Sequence, residues 1–161
     1  MITFKSLSGI YLLEASQYLD ISMDEAWPFF SSPGNLSLIT PSHMGFRITS
    51  GTPDVMYPGQ IITYRVSPFW GYTTHWVTEI THVSDKHFFV DEQRLGPYKI
   101  WHHEHLFEKQ GKGILMTDRV YYRLPFGIIG QIAHTLFVRR QLKKIFLFRE
   151  AYLLKWTGRL E

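Results

Sequence analysis

The sequence Pro125-Phe126-Gly127, followed by IIGQIAHTLFVRRQLKKIFLFREAYLLKW at residues 128–156, constrains the architecture most strongly. No proline follows Pro125 in this stretch, so nothing in it prevents one continuous helix. At ~1.5 Å per residue, such a helix is roughly 43 Å long, which is longer than a small domain is wide. The helix must therefore lie across a second layer of structure.

The apolar residues of this stretch fall on two faces of the predicted helix. The first face contains Ile129, Ile132, Ala133, Leu136 and Phe137. The second, about half a turn away, contains Val138, Leu142, Ile145, Tyr152 and Trp156. The pattern predicts either a bend near Arg139-Arg140 or cover on both faces. We favour a bend, with a sheet under one part and a smaller helix under the other.

The composition predicts one domain over residues 1–161, long enough to bury its own core. Aromatic residues make up 16% of the chain and charged residues only 19%. Much ring surface must therefore be packed in the core or line a cavity.

The absence of cysteine excludes disulfides, a thiolate nucleophile and thiolate metal sites. The N-terminal MITFKSLSGIYLLEAS has no long apolar run, so it predicts neither a signal peptide nor a membrane span. We therefore expect a cytoplasmic protein without stable membrane association.

The formal charge of +3 is a mild excess, and its densest part is the run Arg139, Arg140, Lys143 and Lys144. A solvated helix face explains such a run, and a nucleic-acid partner would need more positive surface. We expect no nucleic-acid partner. Binding of a membrane surface or a partner protein through this basic end remains a third functional hypothesis.

The rest of the chain predicts an α+β fold. Residues Tyr11 to Ile21 alternate as a strand, and a capping box of Ser22 and Glu25 then begins a short helix. Ser32-Pro33 begins a second short helix. Strand signals from Phe46 to Leu124 are separated by turns at Pro53 to Gly59, Pro68 to Gly71, Asp85-Lys86, Gly96-Pro97 and Gly111 to Gly113. Together these signals predict a curved antiparallel sheet of about seven strands wrapped around the long C-terminal helix.

The polar residues of interest lie in FFVDEQRLGPYKIWHHEHLF, residues 88–107. A hairpin loop with an odd number of residues at Gly96-Pro97 keeps the charged faces together outside, and it pairs Asp91 with His103 or His105. The residues that then point inward are Asp91, Gln93, His103 and His105, joined by Asp118 and Tyr122 of the last strand and flanked by Trp76 and Trp101.

Three interpretations of this cluster are open. Two histidines and one or two carboxylates are acceptable zinc or iron ligands, although an i, i+2 pair on a strand is a weak signal. An aspartate that orients a histidine could instead serve acid–base chemistry next to a carbonyl. The third interpretation is a hydrogen-bonded network that at most orients a ligand. We predict no metal and no cofactor.

Several strings resemble the START-like (SRPBCC) superfamily, which contains the birch-pollen allergen fold and polyketide cyclase-like proteins. They are FFSSPGNLSLITP (29–41), Trp76 to Ile80, FVDEQRLGPYKIWHHEHLF (89–107), TDRVYYRLPFGIIGQIAHTLF (117–137) and IFLFR (145–149). The resemblance implies the helix-grip fold, with a deep cavity between sheet and long helix that holds a hydrophobic small molecule. It does not imply a reaction, since the superfamily mixes carriers and enzymes, and the metal ligands of its oxygenase members have no match here.

The sequence therefore predicts a protein that binds a hydrophobic or aromatic small molecule, lipid or polyketide-like, in that cavity. The predicted walls are Trp76, Trp101, Phe107, Leu136 and Phe137. The predicted polar contacts are Asp91, Gln93, His103, His105 and Asp118, with Tyr122 beside them. The alternative is a cyclase or dehydratase in which His103, oriented by Asp91, acts as the base.

Overall fold

The computed structural model describes residues 1–51, 55–69 and 72–158. The predicted turns at Pro53 to Gly59 and Pro68 to Gly71 fall partly outside these ranges, at Pro53, Asp54, Trp70 and Gly71.

The sheet has eight strands, and every neighbouring pair is antiparallel. The strands are β1 (Ile2–Leu7), β2 (Ile10–Leu19), β3 (Arg47–Ile48), β4 (Gln60–Phe69), β5 (Tyr72–Ser84), β6 (Phe88–Leu95), β7 (Ile100–Gln110) and β8 (Gly113–Arg123). Their spatial order is β1-β2-β8-β7-β6-β5-β4-β3. The predicted meander is confirmed from β3 to β8, and the β1–β2 hairpin joins its last strand.

Strand β1 is the strand that the sequence analysis did not assign. It pairs with β2 from Ile2 opposite Ala15 to Leu7 opposite Ile10. The connecting residues Ser8 and Gly9 both have positive φ, as a two-residue type I′ turn requires. The Ser-Gly pair before the alternating strand was the available signal.

The segment after β2 carries the predicted short helices. Helix α1 spans Met23–Phe30, and the Ser22–Glu25 capping box is present with both hydrogen bonds. A 3₁₀ helix follows at Pro33–Ser37, and a further 3₁₀ turn at Ser42–Met44 was not predicted.

The C-terminal helix is continuous but not uniform. It consists of α2 (Gly127–Ala133), a π-helical segment (His134–Val138) and α3 (Arg139–Trp156), with helical backbone angles at both junctions. A π turn contains an extra residue, so the side chains after it are rotated relative to those before it. This explains the two faces in the sequence.

The two predicted partners, the sheet and a smaller helix, both cover α3, which begins at the predicted division near Arg139-Arg140. Leu142 and Phe146 belong to one buried cluster with Leu13 of β2 and Val120 of β8. Leu153 belongs to a second buried cluster, which contains residues of α1. Near the helix end, Trp156 stacks on Phe29 of α1, with ring centroids 4.2 Å apart, and Phe30 meets Trp156 edge-on at 6.2 Å. Thus the sheet lies under α3, and α1 also covers its C-terminal part.

The alternative that was not favoured, cover on both faces of the long helix, does not agree with the structure. The first apolar face lies outside, since Ile129, Ile132, Leu136 and Phe137 are all exposed. Among the helices of the described ranges, none has a stretch long and apolar enough to cross a lipid bilayer.

Candidate functional site

A cavity of about 180 Å³ lies between α3, the sheet and the segment that contains the short helices. At about 10–15 Å³ for each water-sized position, this space holds a ligand of roughly a dozen non-hydrogen atoms. Most of the wall is apolar. Strands β4 and β5 contribute Ile62, Val66, Trp76 and Ile80, and the helix contributes Val138, Leu142, Ile145 and Phe146.

Five of the predicted site residues line this cavity: Trp76, Asp91, Trp101, His103 and His105. The indoles of Trp76 and Trp101 meet edge to face at 5.3 Å, a favourable aromatic geometry that forms a rigid part of the wall.

A threonine fixes the orientation of Trp76. The indole Nε1 of Trp76 donates to the Thr78 hydroxyl at 3.0 Å, and the Tyr64 hydroxyl lies 2.9 Å from the same oxygen. All three residues line the cavity, and Trp76 and Thr78 lie two apart on β5. Tyr64 and Thr78 were not among the predicted site residues, although alternation from Trp76 places Thr78 on the same face.

Four predicted contact residues lie outside the cavity lining found in the described part of the chain. Gln93 bonds the backbone of Tyr98 through both ends of its amide, which closes the β6–β7 turn. Phe107 packs against α1, and the Tyr122 hydroxyl lies 2.8 Å from Nε2 of His134. Asp118 is completely buried and reaches the site only through the side chains that it bonds.

The prediction of Leu136 and Phe137 as cavity walls is wrong. Leu136 is 51% exposed and Phe137 is 62% exposed. Both lie in the π-helical segment, where the inward positions are His134 and Val138. Extending a regular 3.6-residue period through this segment assigns the wrong residues to the inner face.

The polar end of the cavity is a hydrogen-bonded cluster of two aspartates and two histidines. The register of the β6–β7 hairpin is the one predicted for a loop with an odd number of residues. Asp91 pairs with His103, and His105 pairs with Asp118. His105 bonds both carboxylates, with Nε2 2.8 Å from Asp91 Oδ2 and Nδ1 2.9 Å from Asp118 Oδ1. The two imidazole centroids are 3.7 Å apart.

The carboxylate that orients His103 differs from the predicted one. His103 Nε2 is 3.0 Å from Asp118 Oδ1, whereas its Nδ1 is 3.5 Å from Asp91 Oδ2. Asp118 lies diagonally across the β7–β8 pair from His103, within reach of a side chain that leans along the strand. Asp118 therefore orients His103, and the prediction that Asp91 does so is wrong.

Arg149 completes the cluster, and the sequence analysis assigned it no role. Its Nη1 donates to Asp118 Oδ2 at 2.8 Å, and the residue is 8% exposed. It lies between the buried residues Phe146 and Leu153 on α3, at i+3 and i−4. That spacing was a usable signal, because an arginine on a buried helix stripe needs an acidic partner.

The environment of each group determines where the protons of the cluster lie. Burial opposes ionisation of Asp118, but the Arg149 guanidinium and the hydrogen bonds from both imidazoles hold its pKa well below its ordinary value. Burial also opposes ionisation of Asp91, yet the neighbouring imidazoles keep its pKa lowered. Both carboxylates are therefore ionised near neutral pH.

The two histidines differ in the same surroundings. Burial, reinforced by the neighbouring His105, lowers the pKa of His103. Burial acts in the same direction on His105, but its hydrogen bonds to Asp118 and Asp91 outweigh burial and raise its pKa. Between the lowered pKa of His103 and the raised pKa of His105, the cations of Arg149 and His105 balance the two carboxylates, and His103 is neutral. A neutral His103 that donates through Nε2 to Asp118 carries no proton on Nδ1, which lies 3.5 Å from Asp91 Oδ2 and can accept a proton.

Replacing the two histidines one at a time is expected to give opposite pH dependences of stability. Protonation of His105 stabilises the folded chain below its ordinary pKa of 6.5, and this contribution is lost as the pH rises through the raised pKa. For His103 the pKa is lowered, so the folded chain loses stability as the pH falls below 6.5. His105→Gln should therefore lower the free energy of unfolding more at about pH 5.5 than at about pH 8.5. His103→Gln should lower it less at about pH 5.5 than at about pH 8.5.

Urea unfolding of both variants at the two pH values measures these differences. His82→Gln, at an exposed position on β5, is the control and should leave the pH dependence unchanged. Changes of the same sign in both cluster variants would contradict the protonation states assigned here.

The cluster also offers metal-ligand atoms. One atom each from Asp91, His103 and His105 lie within 4.8 Å of one another, close enough to ligate one cation. However, Arg149 and protonated His105 already supply the positive charge that the two carboxylates need. A bound metal would have to compete with both cations.

Comparison with solved structures finds similar chains of low sequence identity. Protein Ms6760 from Mycobacterium smegmatis is 16% identical, with a TM-score of 0.66 over 97% of this chain and 99% of that chain. Ara h 8.0201 is 15% identical, with a TM-score of 0.57 over 91% of this chain and 99% of that chain. A nucleoside-diphosphate sugar epimerase from Corynebacterium glutamicum is 21% identical, with a TM-score of 0.60, and matches 88% of this chain but 28% of its own.

No protein-family model matches the sequence, and no curated protein matches it. At such low identities, structural similarity establishes the fold and leaves the activity open. With its single antiparallel sheet and long C-terminal helix, the chain has the helix-grip fold that the resemblance to START-like proteins implied.

Proposed function

We propose that this chain, as one domain over residues 1–161, binds a hydrophobic or aromatic small molecule in the cavity between the sheet and α3. A cytoplasmic location, expected from the sequence, is part of this proposal. The observation that carries it is the combination of mostly apolar walls with one charged cluster, where Asp91, His103, His105 and Arg149 reach the lining. Binding cavities commonly combine broad apolar walls with a few convergent polar groups in this way.

The charges at the polar end favour a ligand with a hydroxyl or carbonyl group. The carboxylates and cations of the cluster already balance, so a ligand that carries a full charge would leave one charge unpaired in a buried site. A neutral donor or acceptor can exchange its hydrogen bonds to water for bonds to Asp91 or Nδ1 of His103. A fused-ring phenol or a lipid-like alcohol has this chemistry.

Two measurements test the binding proposal. Native mass spectrometry of freshly purified protein should detect a retained small molecule. Calorimetry should show that 2-naphthol binds roughly five to ten times more tightly than naphthalene, because only the phenol can bond the polar end. Equal affinities would contradict the role assigned to the cluster. If neither compound bound, the result would contradict the proposal that the cavity binds such molecules.

A second candidate function is proton abstraction next to a carbonyl, as in a cyclase or dehydratase. The observation that favours it is His103, whose pKa is lowered and whose ring lines the cavity while Asp118 holds its other nitrogen. A neutral imidazole held in this way is a suitable general base.

Exchange of the acidic protons of 2-tetralone in D₂O separates the two functions. If Nδ1 of His103 removes a proton next to the ketone and the solvent returns deuterium, the wild type should accelerate exchange. His103→Gln should then lower the rate to that in buffer while leaving 2-tetralone affinity within a few-fold. Exchange at the buffer rate in the wild type would leave binding alone as the function.

A further inference from the structure

Six large apolar side chains on and just before α2 and the π-helical segment face outward. We call them the outer patch: Phe126, Ile128, Ile129, Ile132, Leu136 and Phe137. Their exposed fractions run from 51% for Leu136 to 79% for Phe126. Single exposed apolar residues are common, but six within twelve positions mark an interaction surface.

The helix that carries the outer patch is held firmly at its start. Phe126 has a φ of 66°, which is unusual for a residue other than glycine, and it presents its ring to solvent in that conformation. A side chain at Gly130 would collide with the carbonyl oxygen of Pro125. The close approach of Pro125 to α2 therefore fixes how the patch projects from the sheet.

The charges around the outer patch are of one sign. Residues 119–149 contain seven of the 17 lysines and arginines in the chain and none of its 14 acidic residues. Two of the seven have acidic partners elsewhere: Arg119 pairs with Glu14, and Arg149 pairs with Asp118. Four of the others, Arg139, Arg140, Lys143 and Lys144, are exposed and begin directly after the patch.

We propose that the outer patch and this basic run dock the protein reversibly on an anionic phospholipid membrane. An uncharged apolar helix followed by a cluster of cations is the pattern of an interfacial helix, whose apolar side enters the lipid while the cations meet the headgroups. The basic end of the helix alone does not predict stable membrane association. The exposed apolar face supplies the second contribution that reversible docking requires.

The same charges disfavour a second copy of this chain as the occupant. A twofold interface through the outer patch would bring two sets of four cations close together, and like charges across an interface oppose association. An anionic membrane instead complements both parts of the surface. The inference does not rest on the proposed ligand, because the outer patch lies outside the cavity lining in the described residues.

Co-sedimentation with vesicles tests the docking proposal. The wild type should sediment with vesicles of equal parts phosphatidylglycerol and phosphatidylcholine, remain in solution with phosphatidylcholine alone, and be released by salt at about 1 M. The double variants Ile129→Gln with Ile132→Gln, and Arg140→Glu with Lys143→Glu, should each weaken binding at least tenfold. All four positions are exposed, so both proteins should fold.

Matched controls use exposed residues that lie on other elements than the patch. Leu95→Gln at the end of β6 and Lys109→Glu with Lys112→Glu at the β7–β8 turn should bind as the wild type does. The proposal is overturned if the wild type does not sediment, or if the patch variants sediment as it does. It is also overturned if the wild type is a dimer that Ile129→Gln with Ile132→Gln converts to a monomer, since the patch then serves self-association.

Discussion

Asp118→Asn is expected to lower the free energy of unfolding by about 3–5 kcal/mol and the Tm by on the order of 10 °C. Asp118 is fully buried and bonds Arg149, His103 and His105. An amide at this position keeps the shape of the side chain but removes its charge, so Arg149 and His105 lose the carboxylate that balances them. The cost is large because a buried cation without a counter-charge has no water to solvate it.

Urea and thermal unfolding measure this loss. Asp85→Asn, the same change at an exposed turn position, is the control and should shift stability by less than about 0.5 kcal/mol. Adding Arg149→Met to Asp118→Asn should recover part of the loss, because the stranded guanidinium is removed. A loss below about 1 kcal/mol for Asp118→Asn would show that the cluster contributes little to the fold.

Ile145→Trp is expected to weaken binding of 2-naphthol at least tenfold while leaving the fold intact. Ile145 lines the cavity and packs against two buried clusters, one with β2 and β8 and one with β4 and β5. A larger side chain there occupies space that the ligand would need. The cavity can accept the extra atoms, so the cost to stability should stay below the ~1–3 kcal/mol typical of an overpacked core.

Leu147→Trp is the matched control for this variant. Leu147 lies two residues further along α3 and is 46% exposed, so the same bulky residue should leave affinity unchanged. Calorimetry with 2-naphthol and thermal unfolding of both variants separate blocked binding from damage to the fold. Unchanged affinity in a folded Ile145→Trp protein would move the binding site away from this cavity.

The hairpin of β6 and β7 was predictable because its two faces differ in polarity. A shift by one residue would have paired Asp91 with His102 and set the outer face of one strand against the inner face of the other. The observed pairing of Asp91 with His103 follows the alternation. Local patterns therefore predicted which side chains converge, including the approach of His103 and His105 on β7 to Asp118 on β8.

Two features of the site were not predicted from the regular helical spacing of residues in the C-terminal stretch. The π-helical segment at His134–Val138 breaks the regular period, and so Leu136 and Phe137 were assigned to the wrong side. Arg149 lies 31 residues from Asp118 in the sequence, and its partner depends on how α3 crosses the sheet. The spacing within α3 indicates that Arg149 is buried, but neither its partner nor the π-helical segment follows from a repeating pattern within one element.

Periodicity, turn residues and capping were enough to predict the antiparallel meander, the short helices, the long terminal helix and the convergence of aspartate and histidine side chains. These features depend on contacts between residues close in the chain or in register across adjacent strands. The protonation of His103 and His105, the counter-charge from Arg149 and the exposure of the outer patch emerged only when α3 was packed on the sheet. They depend on burial and on charges brought together from distant parts of the chain, and desolvation is a property of the packed molecule rather than of any one segment.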